Sequence, residues 1–173
     1  MELSQAIFTR CSCRSYTDDP VSEEQLGAVI AAGNAAPVGM GAYHTVHMTV
    51  IRNPQFRSAL SKATCEFMKR EGDPLYGAPA LILVSAKPAM PPTIEFQNTG
   101  TIMENMMLTA TSLGLGSVYL MGAIAALNTK PDLVAQLNLP EGFVPIAAMA
   151  LGHAAEPAVL RVPQQKIQTD YLE

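Results

Sequence analysis

Thr9-Arg10-Cys11-Ser12-Cys13-Arg14-Ser15-Tyr16 sets two guanidinium groups four residues apart with a serine hydroxyl between them. A guanidinium holds its N–H donors in a rigid fork that matches phosphate oxygens in pairs. The hydroxyl and the backbone N–H groups of a turn add donors that carry no full charge. The stretch is therefore chemically competent to hold a phosphate group. Just before it, Ser4 is placed to cap a short helix through Phe8, with Ile7 and Phe8 facing inward. Just after it, Thr17-Asp18-Asp19-Pro20 has the composition of a turn.

Further along, Ser22-Glu23-Glu24-Gln25 is a capping box that opens a helix with Leu26, Val29, Ile30 and Gly33 on one face. Asn34-Ala35-Ala36-Pro37 ends it, because proline disfavours the helical region for the residue before it. Val38 to Ala42 is a loop of small residues, and Thr45 to Ile51 alternates as a strand. Asn53-Pro54 caps and starts a helix to about Arg70, and Glu71 to Pro74 is a loop. Ala80 to Ala86 is a short, continuous apolar run and predicts a strand buried on both faces. After a proline-rich loop, Thr93 to Leu113 predicts the longest helix, apolar almost all round, with Gly114 placed for a left-handed cap. Ser117 to Met121 predicts a strand, Thr129-Lys130-Pro131 a helix to about Leu137, and Phe143 to Leu151 a last strand. Gly152-His153 begins an extended tail, 153–173. The pattern predicts one domain over 1–173 as a three-layer sandwich, with strand direction open.

The 173 residues suit one domain, or one subunit of an intertwined dimer, that buries roughly 70% of its unfolded surface. A net charge of −4, with no basic run beyond Lys69-Arg70, argues against nucleic acid as a partner. No apolar segment reaches the ~18 residues that span a bilayer, and no signal-peptide pattern opens the chain, so no membrane role and a cytoplasmic location are expected. Three cysteines, an odd number, fit a reducing compartment. Only 15% of residues are charged against 49% hydrophobic, which fits a buried subunit interface or a large core. His44, His47 and His153 match no ligand spacing for zinc, and no metal is expected.

Four groups of residues together resemble the FMN-dependent nitroreductase family, in its order and spacing, from about Ser4 to Val162. They are Arg10-x-Ser12-x-Arg14-x-Tyr16; Ala35-Ala36-Pro37 after an amphipathic helix; Glu104-Asn105-Met106-Met107-Leu108 leading to Gly114-Leu115-Gly116-Ser117; and Gly152-His153-Ala154-Ala155-Glu156-Pro157 with Arg161. The resemblance implies an α+β fold, a three-layer α/β/α sandwich with a mostly antiparallel central sheet. It also implies an intertwined homodimer with two FMN sites at the interface. Carried over, Arg10, Cys11, Ser12, Arg14 and Arg161 would bind at the FMN phosphate. Pro37, Val38, Gly39 and Gly41 would bring backbone against the ring from one subunit, and Leu120, Met121 and Gly122 from the other. Asn98, where the long helix passes, would add a polar contact. No side chain is assigned as catalytic, since flavin N5 carries the chemistry.

The implied activity is an oxidoreductase that takes a hydride from NADH or NADPH and reduces a small aromatic, quinone-like or nitro acceptor. The family loop often reads Pro-Ser-x-x-Asn-x-Gln-Pro-Trp, whereas Val38, Gly41, Tyr43, His44 and Thr45 occupy its Ser, Asn, Gln, Pro and Trp positions here. Backbone groups or Tyr43 would then replace side-chain bonds to the ring. Tyr43 and His44 are expected to shape the pocket, with Met40, Phe96 and Met121 as apolar lining. A non-catalytic FMN carrier or sensor of the same fold is the alternative. A thiol redox protein using Cys11 and Cys13 is a third, although Cys-x-Cys is an awkward disulfide.

Overall fold

A computed structural model describes residues 1–172. Its centre is the apolar run foreseen as a doubly buried strand, β2 (Ala80–Ala86), in which every residue is buried. β2 pairs on one side with β1 (Val46–Ile51) and on the other with β4 (Val144–Gly152); β3 (Gly116–Tyr119) lies outside β4, giving the order β1-β2-β4-β3. The direction that sequence pattern left open is antiparallel in every pair.

Side chains of a strand alternate between faces, so β2 serves two cores. Ile82 and Val84 pack with Met149 and Leu151 against Leu26 and Val29 of α2 (Glu23–Asn34) and Met103 and Met106 of α4 (Ile94–Ser112). Leu81 and Leu83 pack with Ala148 and Ala150 against Phe56 and Leu60 of α3 (Pro54–Met68) and Ile124 and Leu127 of α5 (Met121–Leu127). Burying each large aliphatic side chain contributes about 1.5–3 kcal/mol. The result is the expected three-layer sandwich, in an α+β chain completed by α1 (Leu3–Thr9) and α6 (Pro131–Ala135).

Local signals act as read at several ends. The Ser22 hydroxyl accepts from the Gln25 N–H at 3.1 Å while the Gln25 side chain accepts from the Ser22 N–H at 3.1 Å. Asn53 caps α3 by accepting from the Phe56 N–H at 3.0 Å. Gly114 takes φ 76° just past α4, the left-handed conformation that glycine adopts without a Cβ penalty.

Other readings need correction. α1 begins at Leu3 with Glu2, not Ser4, at its cap; Ala6 is its buried residue, and Ile7 is 43% exposed. α3 stops at Met68, two residues early, because Lys69 adopts φ 51°. α4 is not buried all round within the chain: Asn98, Ile102, Met103, Met106 and Ala110 face inward, while Phe96 and Glu104 are exposed. The strand expected over 117–121 ends at Tyr119. Leu120 leaves the extended region and ties its N–H to the Ala148 carbonyl at 2.8 Å, and Met121 starts a helix. That helix, α5, escaped the sequence reading because Met-Gly-Ala-Ile-Ala-Ala-Leu has no polar face from which to read a period; its buried set, Ala123, Ile124, Ala126 and Leu127, is helical in spacing. Past His153 the chain forms no helix or strand through Leu172, as expected for a tail; Glu173 lies outside the described residues. No described helix is long and apolar enough to cross a membrane.

Candidate functional site

The Arg-x-Ser-x-Arg stretch is not the turn that its composition suggested. After α1 the chain runs extended beside the outer edge of β3: the Cys13 N–H donates to the Ser117 carbonyl at 3.0 Å, and Ser12 bridges Ser117 in parallel. Three residues after Cys13 it meets the end of β4, where Tyr16 bridges Ala154 and the Thr17 N–H donates to the His153 carbonyl at 2.9 Å. An edge strand offers unpaired backbone groups, and this segment satisfies part of that edge. Its period of two also explains the spacing of Arg10, Ser12 and Arg14. Ser12, Arg14 and Cys11 are exposed. Cys13 is half-buried over Gly116, and its thiol donates to the Ser15 carbonyl at 3.2 Å. The buried Tyr16 hydroxyl donates to the Cys13 carbonyl at 3.1 Å; burial, then the neighbouring Cys13, pushes its pKa up, so it stays a neutral donor.

Arg161 arrives from the far end of the chain. Its Nε donates to the Phe8 carbonyl at 3.0 Å, and its Nη2 to the carbonyls of Arg10 at 2.6 Å and Ile7 at 3.4 Å. The cation so placed suits the last carbonyls of α1. Arg161 thus joins Arg10 at the end of α1, with Arg14 four residues further along the same segment; the one ion pair these three arginines form among the described residues is Arg10 Nε to Glu104 Oε1 at 3.7 Å. Beside them, a cavity of ≈ 390 Å³ is lined by Cys11, Thr111, Gly114 and Ser117. The Ser117 hydroxyl is buried there without a hydrogen-bond partner among the described residues. Leaving such a group unpaired costs about 1–3 kcal/mol, so an orphan of this kind marks a place where a polar partner fits.

The loop after α2 is held by α4. Asn98, buried on α4, accepts the Gly39 N–H on Oδ1 at 2.8 Å; the Thr101 hydroxyl, one turn on, shares its proton between the Asn98 carbonyl at 2.8 Å and the Pro37 carbonyl at 3.0 Å. The Tyr43 hydroxyl donates to the Ala36 carbonyl at 3.2 Å and closes the loop on itself. At Gly39 the loop passes close to α4: a Cβ there would lie 2.5 Å from Ile94 Cδ1, so that side chain would have to shift. Met40 takes φ 55° and is 79% exposed; Gly41 takes φ 65°, and His44 is exposed. Phe96 is 58% exposed on the first turn of α4.

Leu120, Met121 and Gly122 lie at the opposite end of β3 from Ser12. Three residues of extended chain, about 10 Å, separate Ser117 from Leu120. Leu120 is buried, Met121 is 75% exposed, and Gly122 packs under Met68, whose sulfur would be 2.5 Å from an added Cβ. Sequence reasoning missed Met68 and Thr101. Thr101 was findable as the helical neighbour of Asn98, but nothing in the sequence relates Met68 to Gly122.

The chain brings Arg10, Cys11, Ser12, Arg14 and Arg161 together, with Leu120 to Gly122 further along the same strand edge. It does not bring the Pro37–Gly41 loop to them. Val38 belongs to the core under α2 and α4, whereas Leu120 belongs to the core under α3 and α5, on the other face of the sheet.

Comparison with known proteins agrees with this architecture. The sequence model of the nitroreductase family matches residues 7–153. A protein of Archaeoglobus fulgidus, provisionally named an NADH dehydrogenase/NAD(P)H nitroreductase, is 30% identical over 155 residues, covering 88% of this chain and 85% of the relative. An NAD(P)H-dependent FMN reductase of Bacillus subtilis is 27% identical over 197 residues, covering 99% and 75%. A nitroreductase of Desulfitobacterium hafniense DCB-2, solved with bound FMN, superposes with a TM-score of 0.87 at 26% identity over 100% of each chain. With its sheet order, its arginine-bearing edge segment and a family match over most of its length, the chain belongs to the nitroreductase family.

Proposed function

We propose that this protein is an FMN-dependent oxidoreductase that uses NADH or NADPH to reduce a small aromatic, quinone-like or nitro acceptor. The observation that carries the reading is the placing of Arg10, Arg14 and Arg161 along one segment with an exposed serine, three cations with a single paired carboxylate, Glu104. A phosphate near charge −2 needs such donors, since burying it unpaired is prohibitively costly. The orphaned Ser117 hydroxyl beside Cys11 supplies a further polar group of the right kind. The residues present therefore fit FMN.

When bound, FMN supplies hydride acceptance and donation at N5. The chain supplies the rest. Arg10, Ser12, Arg14 and Arg161 hold the phosphate, with Cys11 beside it. Leu120, Met121 and Gly122 border the ring edge at the other end of β3. Pro37, Val38, Gly39 and Gly41 offer backbone to the ring, kept in place by the Asn98 and Thr101 braces. Val38 and Leu120 lie on opposite faces of the sheet, so both halves meet one flavin only when a second subunit brings its loop. This supports a homodimer with FMN at the interface. The exposed Met40, Phe96 and Met121 make a soft, apolar rim suited to flat acceptors. Three free cysteines suit the reducing cytoplasm.

The test is an absorption spectrum of the purified protein followed by anaerobic titration with NADH or NADPH. Flavin bands that bleach with the donor, and sustained donor consumption once a quinone or nitroarene is added, are expected. Protein that stays colourless and takes up no added FMN refutes the cofactor. Flavin that binds but never turns over identifies a carrier or sensor. A monomer in sedimentation at micromolar concentration that still holds FMN refutes the shared site.

A further inference from the structure

A groove of ≈ 550 Å³ runs between α3 and the 72–78 loop, away from the arginine-bearing edge. α3 lines it with Arg57, Ser58, Ser61, Lys62 and Cys65, in which residues three or four apart share a face. Neither Arg57 nor Lys62 forms an ion pair among the described residues. Arg57 donates from Nη1 to the Ala78 carbonyl at 2.6 Å, while its Nε is buried without a partner. The opposing acid, Asp73, is already committed. Its carboxylate accepts from the Ser61 hydroxyl at 2.7 Å and from the N–H groups of Leu75 at 2.9 Å and Gly77 at 2.7 Å. The groove therefore holds two cations that form no ion pair among the described residues against one carboxylate, on which Arg57 acts through its charge.

Its direction gives those cations a use. Met68, one turn beyond Cys65 on α3 and just past the groove's lining, packs against Gly122. At 1.5 Å per residue, Lys62 and Arg57 stand about 9 Å and about 16 Å from Met68 along the helix axis. A nicotinamide dinucleotide that reacts beside Gly122 carries its pyrophosphate one nucleoside away, and its adenosine ribose further out. We propose that the groove along α3 seats the phosphates of the nicotinamide dinucleotide, with Lys62 and Arg57 as their charge partners. This assignment rests on the function proposed above, which places the ring edge at Gly122. It predicts that NADPH gains over NADH wherever the extra phosphate reaches Arg57.

The test uses Lys62→Glu, because Lys62 is exposed and holds no part of the fold. Calorimetric titration of the FMN-loaded protein with ADP-ribose and with 2′-phospho-ADP-ribose measures the groove alone. Stopped-flow flavin reduction compares NADPH, NADH and 1-benzyl-1,4-dihydronicotinamide, which has no phosphate. Lys62→Glu should weaken ADP-ribose, and raise the half-saturating NAD(P)H concentration, by about tenfold or more, with the limiting reduction rate within about twofold. The phosphate-free donor should react as it does with the parent protein. Three results overturn the proposal: no ADP-ribose binding to the parent protein at millimolar concentration, no effect of Lys62→Glu, or an equal loss with the phosphate-free donor. If no FMN loads, the functional reading fails separately, and the ADP-ribose titration on flavin-free protein still decides the groove.

Discussion

Replacing Arg161 by alanine separates the tether that the fold shows from the phosphate contact proposed for it. The side chain has five N–H donors. Three are committed to the end of α1, through Nε to Phe8 and Nη2 to Ile7 and Arg10. The two N–H groups of Nη1 have no partner among the described residues and are free for a phosphate. Losing the tether removes three bonds to carbonyls at an exposed helix end; after screening by solvent this costs about 1–2 kcal/mol. For a chain of this size the flavin-free protein should melt about 2–8 °C lower. Losing the phosphate contact costs roughly 1.5–3 kcal/mol more, or about one to two orders of magnitude in FMN affinity. Flavin fluorescence titrations with FMN and with riboflavin, which lacks the phosphate, separate the two terms. FMN should weaken far more than riboflavin, and Arg161→Lys should recover only part of the loss, because one ammonium cannot reach three carbonyls and a phosphate. If FMN and riboflavin weaken by the same factor, Arg161 is a tether only, and its place in the phosphate site is wrong.

Asn98→Ala leaves the Gly39 N–H without its acceptor and should weaken FMN by about fivefold to a hundredfold through loosening of the loop, read by the same titration. An unchanged affinity would show that the loop needs no brace. Tyr43→Phe removes one bond to the Ala36 carbonyl, and His44→Ala removes none; both should leave flavin reduction by NAD(P)H within about tenfold, ~1.4 kcal/mol of barrier, in stopped-flow experiments. A thousandfold loss with FMN still bound would instead put a side chain into the hydride step. Burial alone would raise the pKa of Asp73, but the hydrogen bonds from Leu75, Ser61 and Gly77 and the charge of Arg57 outweigh it and hold the carboxyl below its ordinary 3.8. Its contribution is present above that value and is lost as pH falls through the lower, folded one. Asp73→Asn should therefore cost about 1–2 kcal/mol in denaturant melts at pH 7, after discounting for its exposure, and progressively less in acid below pH 4. A cost that grows on acidification contradicts this.

Much of the architecture was legible because its causes are local. The capping box at Ser22 and Gln25, the Asn53-Pro54 start of α3 and the left-handed stop at Gly114 each satisfy backbone groups within a few residues, so the sequence carries the whole interaction. β2 was readable because a strand buried on both faces must be apolar throughout. That Arg10, Ser12 and Arg14 are competent to hold a phosphate, as proposed above, was likewise read from residue type and spacing alone.

What tertiary structure decided is whatever depends on a partner distant in the chain. The 9–16 stretch became an extended edge segment because Ser117 and His153 offer it carbonyls, and no pattern within eight residues encodes that. α5 follows β3 because Leu120 bonds to Ala148 and turns the chain; the seven apolar residues that follow are compatible with either period. Arg161 reaches Arg10 across 151 positions of sequence, and Met68 covers Gly122 only once α3 and α5 share one face of the sheet. Residue chemistry named the groups that could hold a phosphate. Where they stand, and which of them the fold keeps on opposite sides of its sheet, came from long-range packing, in which each contact depends on all the others having formed.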